Sequence, residues 1–233
     1  SDLTIAGLLD KLGTGDWFRD YYITPISGAI WSTPVQGILD FPAEAMIRFF
    51  KNHALLSATN QHQWFTVQGG SVEYVRRLQA EMVRQGVDLR LGAPVAGIRR
   101  VPQGVMVRAV GAEWEAFDDL VMATHSDDAL ALLSDANPAE RAALSAVRYQ
   151  PNQAVLHADT SVMPKNRKAW ASWVYVEPAG NQRPERIDLT YWMNSLQPIP
   201  KDDPLFVTLN SNAPIRQELI HDEVTFHHPV FDH

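Results

Sequence analysis

The chain has 233 residues, 45% hydrophobic and 20% charged, a balance that excludes disorder, collagen and coiled coil and suits a soluble globular protein. A chain this long buries roughly 70 to 75% of its unfolded surface and needs no disulfide or metal to hold together; one large or two modest, interleaved domains are expected. Twenty basic against twenty-seven acidic residues leave a net charge of −7, which argues against nucleic acid as a partner, and the lack of cysteine removes thiolate zinc sites, iron–sulfur clusters and cysteine nucleophiles.

The apolar runs, such as residues 120–123, fall far short of the ~20 residues of a spanning helix, so no transmembrane segment is expected. No signal-peptide pattern is seen, and cytoplasmic is the expected location. The chain opens at Ser1-Asp2 without a methionine, enters a helical pattern at once and stops at Phe231-Asp232-His233. It reads as a piece of something longer.

In chain order, Thr4 caps a short helix through Leu12 with Gly13 just past its end, and Asp16 opens an aromatic-rich helix through Tyr22 that ends before Pro25. Asp40 and Pro42 begin a third helix, in which Ala45, Met46, Phe49, Phe50 and His53 form one apolar stripe, read as core. Residues 64–67 are strand-like. Gly69-Gly70 is a turn, and Ser71 caps a helix to Gln85 whose Val72, Val75, Leu78 and Met82 share a face.

Residues 87–91 read as a strand, residues 105–110 and 113–117 as a hairpin about Gly111, and residues 120–123 as a strand buried on both faces. Residues 127–133 return to helix, and Asn137, Pro138 and Glu140 start another through a capping box. Beyond Tyr149, residues 154–158, 169–176, 187–195 and 205–210 read as an antiparallel meander. Seven arginines crowd residues 76–108, and eight acids with no base occupy residues 111–140; these read as two solvated faces.

Several chemistries are set aside. No H-E-x-x-H occurs among the eight histidines, His221 and His227 lie six apart, and no metal is expected. No G-x-S-x-G marks a serine nucleophile. The acid pairs Asp118-Asp119 and Asp127-Asp128 are adjacent, which on a strand points them to opposite faces. Neither G-x-G-x-x-G nor G-x-x-x-x-G-K-[ST] is present, so a phosphate cradle is missing. If one face of the meander lines a substrate cavity, alternation puts Tyr191 and Met193 on it, with Trp192 opposite.

At Gln63-Trp64-Phe65-Thr66-Val67-Gln68-Gly69-Gly70-Ser71 the sequence resembles the flavin-containing amine oxidase and phytoene desaturase superfamily, and more narrowly its bacterial predicted NAD/FAD-binding proteins. The order that follows is similar too: a helix after the double glycine, Gly92-Ala93-Pro94-Val95, a hairpin, then Val121-Met122-Ala123-Thr124-His125. Leu39-Asp40-Phe41-Pro42, Tyr149-Gln150-Pro151-Asn152, Thr190-Tyr191-Trp192-Met193-Asn194 and His228-Pro229-Val230-Phe231 add to it. The resemblance implies FAD as cofactor, with Val95 meeting the adenine through its backbone and Ala123 and Thr124 near the adenosine and ribose.

It also implies an α+β fold: part of a Rossmann-like FAD-binding lobe (residues 63–147), and a substrate lobe of helices (residues 1–62) and antiparallel sheet (residues 148–221), with residues 222–233 leading back to the FAD lobe. The family's pyrophosphate-binding turn and its flavin-facing C-terminal segment are not found in this sequence. Amine oxidases of the family place a lysine on the first strand of the substrate sheet, whereas residues 150–154 hold none, with Asn152 or Gln153 thereabouts. The expected function is hydride removal from a C–N or C–C bond with FAD as acceptor, by the intact protein and not by this chain alone. The alternative is a non-catalytic module that binds an apolar small molecule.

Overall fold

The computed structural model describes residues 3–31, 35–56, 59, 62–176 and 187–230; the terminal Ser1-Asp2 and Phe231-Asp232-His233 lie outside them. The chain divides into two compact units, residues 1–77 with 150–233, and residues 78–149.

The first unit begins with helices. Thr4 Oγ1 accepts the Gly7 N–H at 3.2 Å to open α1 (Ile5–Leu12), and Gly13, at φ 64°, closes it by donating to the Leu9 and Asp10 carbonyls. α2 (Asp16–Phe18) does not end before Pro25 as expected. It widens into a π-helical turn over Arg19–Ile23 and continues as α3 (Thr24–Trp31). Proline lacks an N–H, and its ring crowds the carbonyl four residues back; the wider turn makes room for it. Both the N–H and the Oγ1 of Thr24 then bond to the Arg19 carbonyl, the hydroxyl at 2.9 Å.

After α4 (Val35–Ile38), α5 (Ala43–Asn52) starts one residue beyond Pro42. Its Met46 and Phe50 are buried and Phe49 half-buried, whereas Ala45 faces solvent. Ile5, Leu9, Ile23, Ile38, Phe41, Met46 and Phe50 form one core, each burial stabilising by roughly 1.5 to 3 kcal/mol. Residues 64–67 form no strand, and Phe65 is 88% exposed. Gly69 and Gly70, at φ 85° and 91°, turn the chain into α6 (Ser71–Arg84). Of the expected apolar face, Val72, Val75 and Leu78 are exposed and Met82 is partly buried.

The second unit centres on a three-stranded antiparallel sheet, β1 (Val95–Val101), β2 (Gly104–Ala109) and β3 (Glu115–Phe117), in that order. The hairpin about Gly111 is as expected; β1 is additional. Gly104, at φ 139°, is required at its turn because a Cβ there would lie 2.2 Å from the Phe117 carbonyl oxygen. α7 (Ser126–Leu132) joins the sheet through Ser134, whose N–H and Oγ both donate to the Ile98 carbonyl, at 3.0 and 2.8 Å. α8 (Pro138–Ser145) has the expected capping box: Asn137 Oδ1 accepts the Glu140 N–H and Glu140 Oε2 accepts the Asn137 N–H, both at 2.9 Å.

Two expected strands do not form. Residues 87–91 and 120–123 form no ladder, and Leu91, in a turn, is 82% exposed and Val121 90%. An apolar run becomes a strand only where another strand supplies hydrogen bonds and side chains to cover it, and none does so among the described residues. The basic and acidic stretches are solvated, as expected, and meet at two exposed places. Arg90 pairs with Glu115 at 2.7 Å, and Arg100 with Glu140 at 2.8 Å and Asp135 at 3.3 Å.

The first unit resumes with a five-stranded sheet. Its strands are β4 (Arg148–His157), β5 (Trp173–Tyr175), β6 (Leu189–Trp192), β7 (Phe206–Leu209) and β8 (Ile220–Val230), in spatial order β5-β6-β7-β4-β8. The meander holds for β5, β6 and β7, which pair antiparallel in succession, as do β7 and β4. A short α9 (Met193–Leu196) follows β6 directly. The registers set two faces. Trp173, Tyr191, Val207 and Leu156 stand on one, Val174, Thr190, Thr208 and Val155 on the other. On the first, Ala29 of α3 packs with Ile187, Leu189, Tyr175 and Tyr191. On the second, Met163, Val174 and Phe206 pack with Trp170 and Trp192.

Candidate functional site

In the first unit, the α3 side of the sheet carries the expected cavity residue Tyr191. It is half-buried, its ring edge-on to Trp173 with centroids 5.5 Å apart, and burial pushes its hydroxyl pKa up, so it remains a proton donor. On the facing helix, Ser27 is fully buried and its hydroxyl has no hydrogen-bond partner among the described residues. The strand expected to run to residue 195 stops at Trp192. Met193 opens α9 and donates its N–H to the Leu205 carbonyl, so strand alternation holds for Tyr191 and Trp192 but does not extend to Met193.

The first strand of this sheet carries a buried amide, Asn152, and an exposed one, Gln153, where the resemblance leads one to look for a lysine. Asn152 is 2% exposed; its Oδ1 accepts from Asn210 Nδ2 at 2.7 Å, and its Nδ2 lies 3.0 Å from His228 Nδ1. Gln153 donates its N–H to Asn210 Oδ1 and its side-chain amide to Glu223. Farther along β4, His157 Nε2 meets Thr208 Oγ1 at 2.7 Å, and Thr208 meets Thr190 at 2.9 Å. Burial lowers the His157 pKa, against the opposing pull of Asp159. These groups satisfy one another, so they fix strand positions. Asp188 is buried too; desolvation raises its pKa although it accepts the Asn212 N–H at 2.8 Å.

In the second unit, Val95 is the first residue of β1, paired in register with Ala109 and exposed. Ala123 and Thr124 lie in the exposed turn before α7, where Thr124 Oγ1 donates to the His125 carbonyl at 3.1 Å. His125 stacks on Tyr149, centroids 4.4 Å apart, and Ser126 donates its N–H to the Tyr149 hydroxyl at 2.9 Å. Sequence reasoning missed this aromatic clamp, because nothing local ties a histidine to a tyrosine beyond the next helix. Ligand atoms of His125, Asp127 and Asp128 lie within 4.8 Å of one another, all three residues exposed.

With this architecture in view, comparison places the chain in a family. Residues 9–205 match the model of the flavin-containing amine oxidoreductases, and the chain belongs to that family, whose cofactor is FAD. Among solved structures, it is similar to the crystal structure of a CLA-producing fatty acid isomerase from P. acnes. The TM-score is 0.54 at 18% identity, over 97% of this chain and 54% of that one. The likeness is one of fold, and the chain spans about half the length of the isomerase. Comparison with curated proteins finds no match. Among the described residues, no helix is long and apolar enough to cross a membrane.

The residues in hand fit FAD only in part. Val95, Ala123 and Thr124 offer main-chain groups and one hydroxyl, which suits an adenosine. The sequence contains no G-x-G-x-x-G turn to take the pyrophosphate on a helix N-terminus.

Proposed function

We propose that this chain supplies the substrate lobe and the adjoining part of the FAD-binding lobe of an FAD-dependent oxidoreductase. Its reaction would be hydride removal from a C–N or C–C bond, the flavin accepting the hydride. Residues 1–62 and 148–221 form the substrate lobe in this reading, residues 63–147 belong to the FAD lobe, and residues 222–233 lead back towards it. The family match over residues 9–205 carries the proposal. The exposed apolar segments at Leu91 and Val121 are in keeping with a lobe whose sheet is completed by further chain.

In this proposal Val95, Ala123 and Thr124 face the adenosine end of FAD, and Tyr191 and Met193 face the substrate. With no lysine on β4, the lobe orients substrate and excludes water through Tyr191 and its apolar neighbours.

On its own the 233-residue chain is expected to be inactive and to bind FAD weakly, because no pyrophosphate turn fixes the cofactor. Isothermal titration with FAD tests that half; tight, stoichiometric binding overturns it. The activity is tested by the visible spectrum of a longer protein containing this sequence, followed by anaerobic reduction. A flavin band that bleaches supports the reading. A colourless protein that takes up no added FAD overturns it and leaves a module for an apolar small molecule. Tyr191→Ala with unchanged substrate binding and turnover would remove the role of Tyr191.

A further inference from the structure

Away from the α3 side, on the other face of the first unit's sheet, the segment after β4 and the loop before β7 enclose a groove of about 750 Å³. Its apolar lining is Met163, Pro164, Trp170 and Pro204; its charged lining is Lys165, Arg167 and Lys201 against one acid, Asp202. In a chain of net charge −7 this is a local reversal of sign. Among the described residues, no carboxylate forms an ion pair with any of the three cations, although elsewhere arginines of this chain are paired at Glu44, Glu81, Glu115 and Glu140.

The apolar wall is preorganised. Trp170 Nε1 donates to the Pro164 carbonyl at 2.8 Å, and the ring stands edge-on to Trp192 and Phe206, with centroids 5.3 and 5.7 Å apart. Arg167 lies over the Trp170 ring, its Cζ 4.7 Å from the centroid, which fixes a guanidinium at the mouth while leaving its N–H edge free to donate. A fixed aromatic wall beside unpaired cations matches one kind of ligand, an apolar body with an anionic head.

We propose that this groove binds an amphipathic anion, an apolar chain or ring bearing one anionic head. The body lies along Met163, Trp170 and Pro204, and the head is held by Lys165, Arg167 and Lys201. The site is distinct from the substrate side proposed above, since it lies on the sheet face opposite Tyr191 and none of its residues is assigned to cofactor or substrate.

The test uses the 233-residue chain labelled with ¹⁵N on its tryptophan indoles. The Trp170 N–H signal is assigned by Trp170→Phe or, if that variant does not fold, by backbone assignment of the wild type. Sodium decanoate, decyl phosphate, decanol and acetate are titrated in turn, below micellar concentrations. Decanoate or decyl phosphate is expected to shift the Trp170 signal saturably, and the stronger of the two reports which head the site prefers. Decanol and acetate bind at least about tenfold more weakly, since each lacks one half of the recognition. The Lys165→Ala/Lys201→Ala variant, whose replaced side chains are exposed, weakens the anions about tenfold, leaves decanol unchanged and flattens the salt dependence. A Trp170 signal unmoved by both anions, decanol equal to decanoate, or a double variant with wild-type anion affinity each overturns the proposal.

Discussion

The Asp159 carboxylate, fully buried just after β4, receives the main-chain N–H of Arg216 at 3.0 Å and its guanidinium at 2.9 and 3.1 Å, joining segments 57 residues apart. Those bonds, with the Arg216 side chain foremost, hold the Asp159 carboxyl well below the usual carboxylate range. Asp159→Asn leaves the guanidinium without its counter-charge and turns an amide N–H towards donors. It is expected to lower unfolding stability by ~2 to 3 kcal/mol in urea titrations. Because the folded pKa is depressed, the stabilisation is complete above the unfolded value of ~3.9 and is lost as pH falls through the folded one. The wild type should therefore weaken steeply below about pH 4, and the variant less so.

His157 acts in the same direction at higher pH. Its pKa is lowered by burial, so the unfolded chain binds a proton that the folded one refuses, and stability falls as pH drops below ~6.5 towards the folded value. Urea midpoints measured from about pH 7 to 5 should decline in the wild type and decline less in His157→Gln. Parallel curves would show that His157 takes its proton without penalty.

The Asn137–Glu140 capping box gives a local test in the second unit. Asn137→Ala should cost about 1 kcal/mol and Asn137→Ser a few tenths, read from thermal unfolding of the helix signal. Glu140 also faces Arg100, which together with the Asn137 N–H holds its carboxyl at about 2. Its charge is therefore retained down to mildly acidic pH, and added salt should soften the Arg100 pair before it affects the cap.

Two glycines with positive φ are expected to separate sharply on substitution. At Gly104 a methyl group would meet the Phe117 carbonyl oxygen at 2.2 Å, a main-chain atom that cannot move without disturbing the β2–β3 pairing, in which Phe117 lies opposite Val105. At Gly111, φ 74°, nothing lies within 4 Å. Gly104→Ala should destabilise by more than ~3 kcal/mol and Gly111→Ala by about 1, the cost of the left-handed backbone alone. Equal losses would contradict the geometry.

Val121 and Val105 make a second contrasting pair. Val105 is buried in β2, and Val121 stands 90% exposed in a run that looks more hydrophobic in sequence. In this chain Val121→Lys should change stability by less than ~0.5 kcal/mol, while Val105→Lys should cost several, the two compared by urea unfolding.

What was legible in the sequence was what short stretches decide for themselves. The Thr4 and Gly13 caps, the Asn137 box and the turn at Gly111 each depend on a few consecutive residues, and the sheet strand 205–210 announced itself by Phe206, Val207 and Thr208. Partnership was not legible. Residues 120–123 have the composition of an internal strand and no neighbour to make them one. In β8 the alternate residues Ile220, Val224, Phe226 and Val230 are apolar, but His221, Asp222, Glu223, His227 and His228 dilute the pattern and no strand is expected there, yet it completes the sheet edge beside β4. β1 hid behind Gly97 and two arginines. The turn through Pro25 depended on a hydroxyl at Thr24 bonding five residues back, a compensation that a rule about proline alone does not include. Lys165, Arg167 and Lys201 gave no motif, because only the path of the chain around β5 and β6 brings them to one groove.

The two-part construction of the first unit also sets an order of events at the ribosome. Ala29 on α3 is buried against Leu189, which is synthesised 160 residues later, and residues 78–149 come between as a self-contained excursion. At ~5 to 20 residues per second, α3 waits roughly 8 to 32 s for the sheet that covers it, while the intervening segment has already emerged and paired β1 with β2. The N-terminal helices thus spend that interval with their sheet-facing side bare, and a nascent chain stalled before β6 should be the species most dependent on a chaperone.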